Sequence, residues 1–278
     1  MIIDIGFDIE LAVTAPTAII YLLRVHPSRK HDLLAPEQFR ITAGLAVNDY
    51  TDSFGNLCGR IKVPTGVSKV RISSRASVFD SGIPDQRDAN ARQHSPDELP
   101  TEVLEFLLPS RYCEVDSALL DFAWREFGRF PPGWQRVQGI CDYVHQHICF
   151  DYSAARANRT AFEAWREQTG VCRDYAHLAV TLCRCMNIPA RYVTGYLGDI
   201  GVPVTPPMDF SAWFEVYLGN RWHTFDARNN KPRIGRILMA TGRDAGDVPI
   251  TMTFGQNSLV SFNVIAQEAP VLAPVLVA

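Results

Sequence analysis

Residues 169–197 read "TGVCRDYAHLAVTLCRCMNIPARYVTGYL", and the hydrophobic period changes part-way along them. Tyr175, Leu178, Ala179, Leu182 and Met186 recur at the three-to-four spacing of a helix that buries one face. Asn187 and Pro189 stop that helix, and from residue 190 the period falls to two, as in a strand. Further strand patterns lie near 190–197, 211–218, 221–227 and 258–267. Upstream, "TEVLEFLL" (101–108), "VDSALLDFAWREF" (115–127) and "GWQRVQGICDYVHQHI" (133–148) carry helical spacing. Helices followed by sheet make residues 101–278 an α+β module, with the C-terminal strands assigned to it.

Residues 1–82 are different in kind. Runs such as "TAIIYLLRV" and "KVRISSRASVF", separated by "DSFGN" and "VPTG", predict a β-rich, sandwich-like domain. Residues 83–100, "IPDQRDANARQHSPDELP", hold almost no large apolar side chains and read as a linker. A chain of 278 residues accommodates both cores. With 27 Lys and Arg against 30 Asp and Glu, there is no basic excess for a nucleic-acid partner. The start "MIIDIGFDIELAV" has acids inside its apolar run and no basic lead, so neither a signal peptide nor a membrane span is expected. Seven cysteines at irregular spacing argue against a disulfide framework and for reduced thiols in a cytoplasmic protein.

One of those thiols stands out by position. The helix of 170–187 starts near Cys172, where unpaired backbone N–H groups and the positive end of the helix dipole favour thiolate. The same N–H groups can accept an oxyanion during acyl transfer. A small buried hydrophobe is the competing reading of a free cysteine. His177 lies five positions on, about 140° around the helix, and is expected to pack rather than serve as base.

The stretch 208–226, "MDFSAWFEVYLGNRWHTFD", predicts a hairpin turning at Gly219-Asn220. Paired residues then sum to 439, so Leu218 opposes Arg221 and Val216 opposes His223. Alternation puts Ser211, Trp213 and Glu215 on one face with Thr224 and Asp226, and His223 on the other. Asp226 and position 211 become diagonal neighbours roughly 5–8 Å apart, the spacing of a base and its orienting carboxylate. Position 211, however, is a serine.

The runs "GVCRDYAHLAVTLCRCMNIPARYVTGYL" and "DFSAWFEVYLGNRWHTFDARN" resemble the core of the bacterial transglutaminase-like superfamily, papain-fold proteins with a Cys-His-Asp triad. The matching pieces cover about residues 135–230, and the N-terminal module and the run "RIGRILMATGRDAGDVPITMTFG" also look like those of bacterial members. The resemblance implies that Cys172 is the nucleophile and Asp226 the orienting aspartate, with a peptide or protein amide as substrate and no cofactor. In the family's "D-F-H-A-W" motif the histidine is the general base; here that position is Ser211. A helper near Tyr152 is also implied.

The expected reaction is attack of Cys172 on an amide carbonyl, with a thioester resolved by water or an amine. The base keeps the thiol ionised and protonates the leaving amine, and a serine hydroxyl does neither at neutral pH. The thiol pKa is expected to drift back toward about 8.5, and loss of the base to cost about 10²–10⁴ in rate. The chain as written is therefore expected to be inactive or strongly impaired. Two histories fit: a recent or engineered change at 211, or a natural variant that keeps binding as a non-catalytic peptide-binding or scaffolding module. Other signals are weak: His145 and His147 lack a third metal ligand, Cys183-Arg-Cys185 lacks redox spacing, and "GRDAGDVP" (242–249) reads as a surface turn.

Overall fold

A computed structural model describes residues 1–270. The N-terminal module supplies three strands to each of two four-stranded antiparallel sheets, through β1 (Ile2–Val13), β2 (Thr17–Tyr21), β3 (Arg40–Ile41), β4 (Ala46–Thr51), β5 (Leu57–Val63) and β6 (Lys69–Phe79). Its core follows from strict alternation: Ile3, Ile5, Phe7, Ile9, Leu11 and Val13 along β1 are all buried.

The second module opens with a 3₁₀ helix at Thr101–Leu107, in place of the helix expected there. Next come α1 (Leu119–Phe127), α2 (Trp134–His147), the short β7 (Cys149–Phe150), α3 (Ala161–Glu167), the short β8 (Thr169–Gly170) and α4 (Cys172–Cys185). Helix α3 escaped the periodicity reading, although Thr160 and Glu163 form a capping box at its start. The strands β9 (Ala190–Leu197), β10 (Ser211–Leu218), β11 (Arg221–Phe225) and β12 (Arg236–Gly242) form one antiparallel sheet in the order β11-β10-β9-β12. Leu178 and Leu182 of α4, with Met186 just after it, share one buried core with Phe214, Val216 and Phe225 of that sheet.

Two expectations about organisation are corrected. The last strands, β13 (Thr251–Thr253) and β14 (Asn257–Glu268), do not extend the core sheet. β14 pairs along β1, from Ile3 opposite Glu268 to Val13 opposite Asn257, and β13 pairs with β2. Each sandwich sheet thus gains its fourth strand from the far end of the chain, which ties the modules together. Residues 83–100 are equally committed, since they make polar contacts instead of apolar ones. Arg92 accepts the Gly219 N–H, His94 accepts the Asn220 N–H, and Gln93 donates to the Met186 carbonyl. A segment without large apolar side chains can still be a fixed strap when backbone groups hold it.

Candidate active site

The helix start is set by Asp174. Its carboxylate accepts the Val171 N–H at 2.8 Å and the Arg159 guanidinium at 3.0 Å, which fixes the first turn of α4. Gly170 is dictated by the same carboxylate, since a Cβ there would meet Asp174 Oδ2 at 2.5 Å. Cys172 sits half-buried on that turn, packed near Ala176, Tyr192 and Ala212. Burial pushes its thiol up to about 11, opposed by the Arg228 guanidinium and the Ala212 N–H and reinforced by the charges of Asp209 and Asp226. Burial thus favours the thiol over the thiolate relative to a free cysteine, whose pKa is about 8.5.

The hairpin has the expected register: Leu218 opposes Arg221, Val216 opposes His223 and Phe214 opposes Phe225. Gly219 and Asn220 both have positive φ, 54° and 67°, as a type I′ turn requires. Phe214, Val216 and Phe225 face the helices, and His223 shares their side, edge-on to Trp134 with its centroid 5.5 Å away. His223 Nε2 lies 3.1 Å from the Leu218 carbonyl, and burial lowers its pKa, so the ring is a neutral packing group. On the other face the guanidinium of Arg236 lies 5.0 Å from the Trp213 ring centre while its Nη2 donates to Asp226 at 2.9 Å. Trp213 and Asp226 therefore share the face opposite His223.

Asp226 is fully engaged. Its Oδ1 accepts the Asn229 N–H at 2.9 Å; its Oδ2 accepts Asn229 Nδ2 at 2.8 Å and Arg236. Burial would raise its pKa, but Arg236 and the two Asn229 donors outweigh it and hold the carboxyl below the ordinary value. Arg236 also donates through Nε to Asp85, and Arg233 donates to Asn229 Oδ1 at 2.8 Å. Sequence reading missed Asn229, Arg233, Arg236 and Asp85. Arg233 and Arg236 sit in the quoted run 233–255, and a search of it for a cation to balance Asp226 would have raised them.

Ser211 is buried and lines a cleft of about 320 Å³ with Asp209, Arg228, Asn229 and Tyr152. Its carbonyl accepts the Thr194 hydroxyl at 3.4 Å, while its own hydroxyl has no partner among the described residues. Tyr152 is exposed at the cleft mouth, edge-on to Phe150. The structure thus gathers Ser211 and the Asn229 clamp on Asp226 around one cleft, and brings Cys172 within the electrostatic reach of Arg228, Asp209 and Asp226.

The other histidines and thiols have structural partners. His177 is buried between Tyr112 and Tyr192 and accepts the Ala245 N–H at 3.1 Å, with its pKa well below the ordinary value because of burial. His145 Nδ1 lies against the Ala227 and Arg228 carbonyls, and His147 Nε2 against that of Trp165. Cys183 and Cys185 are buried along α4. The 242–249 segment departs from a surface turn: Asp244 is buried and accepts the N–H groups of Tyr112 and Gly246.

Residues 126–227 match the transglutaminase-like superfamily. The crystal structure titled as that of "a Putative Cysteine Protease" from Cytophaga hutchinsonii is similar over 99% of this chain and 93% of its own, at TM-score 0.83 and 29% identity. The uncharacterized protein ML0607 of Mycobacterium leprae is 31% identical over 168 residues, covering 59% of this chain and 60% of that one. The uncharacterized protein Rv2569c of Mycobacterium tuberculosis is 26% identical over 179 residues, 58% of this chain and 55% of that one. The match thus spans a little over half the length of these curated relatives. Among the described residues no helix is long and apolar enough to cross a membrane.

Proposed function

The chain belongs to the transglutaminase-like superfamily, and on that premise we propose that it is a thiol-dependent amide hydrolase or acyltransferase scaffold whose chemistry is strongly impaired by Ser211. Cys172 is the nucleophile: its thiolate attacks an amide carbonyl of a peptide or protein, the first-turn N–H groups of α4 receive the oxyanion, and the amine departs with a proton to leave a thioester. Asp226 is the orienter and Ser211 the position of the base. The observation that carries the impairment is a serine, with no imidazole, at 211 in the cleft that Arg228 and Asp209 also line; burial, which pushes the Cys172 thiol up, acts in the same direction. The seven free cysteines support a reducing, cytoplasmic setting.

The test is Ser211→His. Iodoacetamide labelling of Cys172 across pH should move to lower pH, and amidase activity on short peptide amides should emerge. If neither changes, the triad reading is wrong. A second reading, a non-catalytic peptide-binding module, is favoured by the Asp226 clamp, in which Asn229 and Arg236 already take three of the carboxylate's acceptor positions. It gains if Cys172→Ala binds peptides as tightly as the unaltered chain.

A further inference from the structure

The cleft beside Ser211 carries an imbalance of charge that its own residues do not resolve. Two carboxylates line it, and both have donors: Asp199 accepts the Thr205 N–H at 2.7 Å and lies 3.3 Å from Arg233, and Asp209 accepts the Phe210 N–H at 2.6 Å. Three cations line it, and only Arg233 is paired. Among the described residues no carboxylate lies within ion-pair distance of Arg228 or Lys231, and neither side chain donates to a protein acceptor. Arg228 is held instead over the Phe150 ring, its guanidinium carbon 4.0 Å from the ring centre. A stacked guanidinium keeps its N–H edge free for a planar oxyanion, which it can bind with two parallel hydrogen bonds.

We infer that Arg228, with Lys231 lining the same cleft, is an anion-recognition site that selects acyl donors bearing a carboxylate next to the amide presented to Cys172. The inference rests on the reading of Cys172 as nucleophile. The rest of the cleft suits such a ligand, since Leu197, Val202, Met208 and Phe210 offer apolar wall for a side-chain stem. Proximity is supported from the sulfur's side: Arg228 is the largest charge lowering the Cys172 thiol against its burial. The carboxylate can be an acidic side chain or a free chain terminus, which share the same chemistry.

The full chain tests this with two small electrophiles that differ in charge, iodoacetate and iodoacetamide, read by peptide mapping because the exposed Cys149 also reacts. The rate ratio of iodoacetate to iodoacetamide at Cys172 should exceed that of 2-mercaptoethanol by about fivefold, the scale of one half-exposed ion pair. Arg228→Gln should return the ratio to the free-thiol value, and Arg228→Lys should keep most of it. A ratio already equal to the free thiol, or unmoved by Arg228→Gln, overturns the proposal. If neither reagent labels Cys172, even in Ser211→His, the nucleophile reading itself fails and the proposal falls with it. Protection separates the two sources. A blocked glutamyl peptide amide slows labelling if the side chain is read, a blocked dialanine with free terminus if the chain end is read, and protection by neither at millimolar concentration overturns the site.

Discussion

The two ends of the expected triad are built to different standards. At the Asp226 end every donor is in place: three hydrogen bonds close on a buried carboxylate, and the arginine that makes one of them is itself held by Asp85. At the Cys172 end burial pushes the sulfur up to about 11, and the Ser211 hydroxyl in the cleft has no partner among the described residues. The difference is one of structural debt. Removing a partner from a buried ion pair destabilises the fold, whereas a side chain at the wall of an open cleft can change with little consequence for folding. A substitution at 211, which lines the cleft and takes no part in the Asp226 network, is therefore expected to disturb folding less than one at Asp226 or Arg236.

Arg236→Met gives the largest expected effect on this contrast. It would leave the buried Asp226 and the partly buried Asp85 without their shared cation, at a cost of about 3–5 kcal/mol in denaturant unfolding. A loss under about 1 kcal/mol would show the Asp226 end to be no better anchored than the cleft. The linked pH dependence has a definite sign. The folded carboxyl of Asp226 lies below its ordinary value, so its contribution is present above about pH 4 and is lost as pH falls through the folded value. Arg236→Met should flatten that acid limb of the stability profile.

Ser211→His addresses the other end. An imidazolium beside the sulfur would offset the burial that holds the thiol near 11, and labelling of Cys172 by iodoacetamide at pH 7 should rise by about a hundredfold. A rise without amidase activity would locate the remaining deficit at Asp226, where Asn229 Nδ2 sits on the oxygen that also takes Arg236. Gly170→Ala tests the helix start on a smaller scale. Its methyl group would strike the Asp174 carboxylate that fixes the first turn, costing about 1–3 kcal/mol and slowing Cys172 labelling through a displaced turn.

What was legible in the sequence was whatever depends on neighbours along the chain. The hairpin register followed from Gly219-Asn220 and a period of two, and α4 followed from one apolar stripe closed by Asn187 and Pro189. The unread parts are long-range. Nothing near Glu268 announces that it will pair opposite Ile3, and nothing near Asp85 announces Arg236. Residues 83–100 misled for a related reason: they lack apolar side chains because their attachments are backbone and polar groups, which hydropathy does not weigh. The β14 strand misled because period two identifies a strand but not its sheet.

His223 offers the smallest effect and the cleanest check on the two faces of the hairpin. It is the hairpin's one histidine, three residues before Asp226, yet the register turns it toward the helices and its Nε2 rests against the Leu218 carbonyl. His223→Phe keeps a ring against Trp134 and gives up one hydrogen bond, so unfolding should move by only about 1 kcal/mol. Its folded pKa lies below the ordinary value of about 6.5, so the wild-type ring is neutral above that pH and draws stability down as pH falls toward the folded value. The variant should lose part of that decline, while labelling of Cys172 stays within about twofold at every pH, because the ring's electrostatic neighbours are Arg221 and Asp88 rather than the sulfur. A tenfold fall in labelling would mean that the ring reaches the sulfur after all. The face proposed as catalytic would then be the wrong one, and the proposal that Ser211 stands where a base is missing would fail.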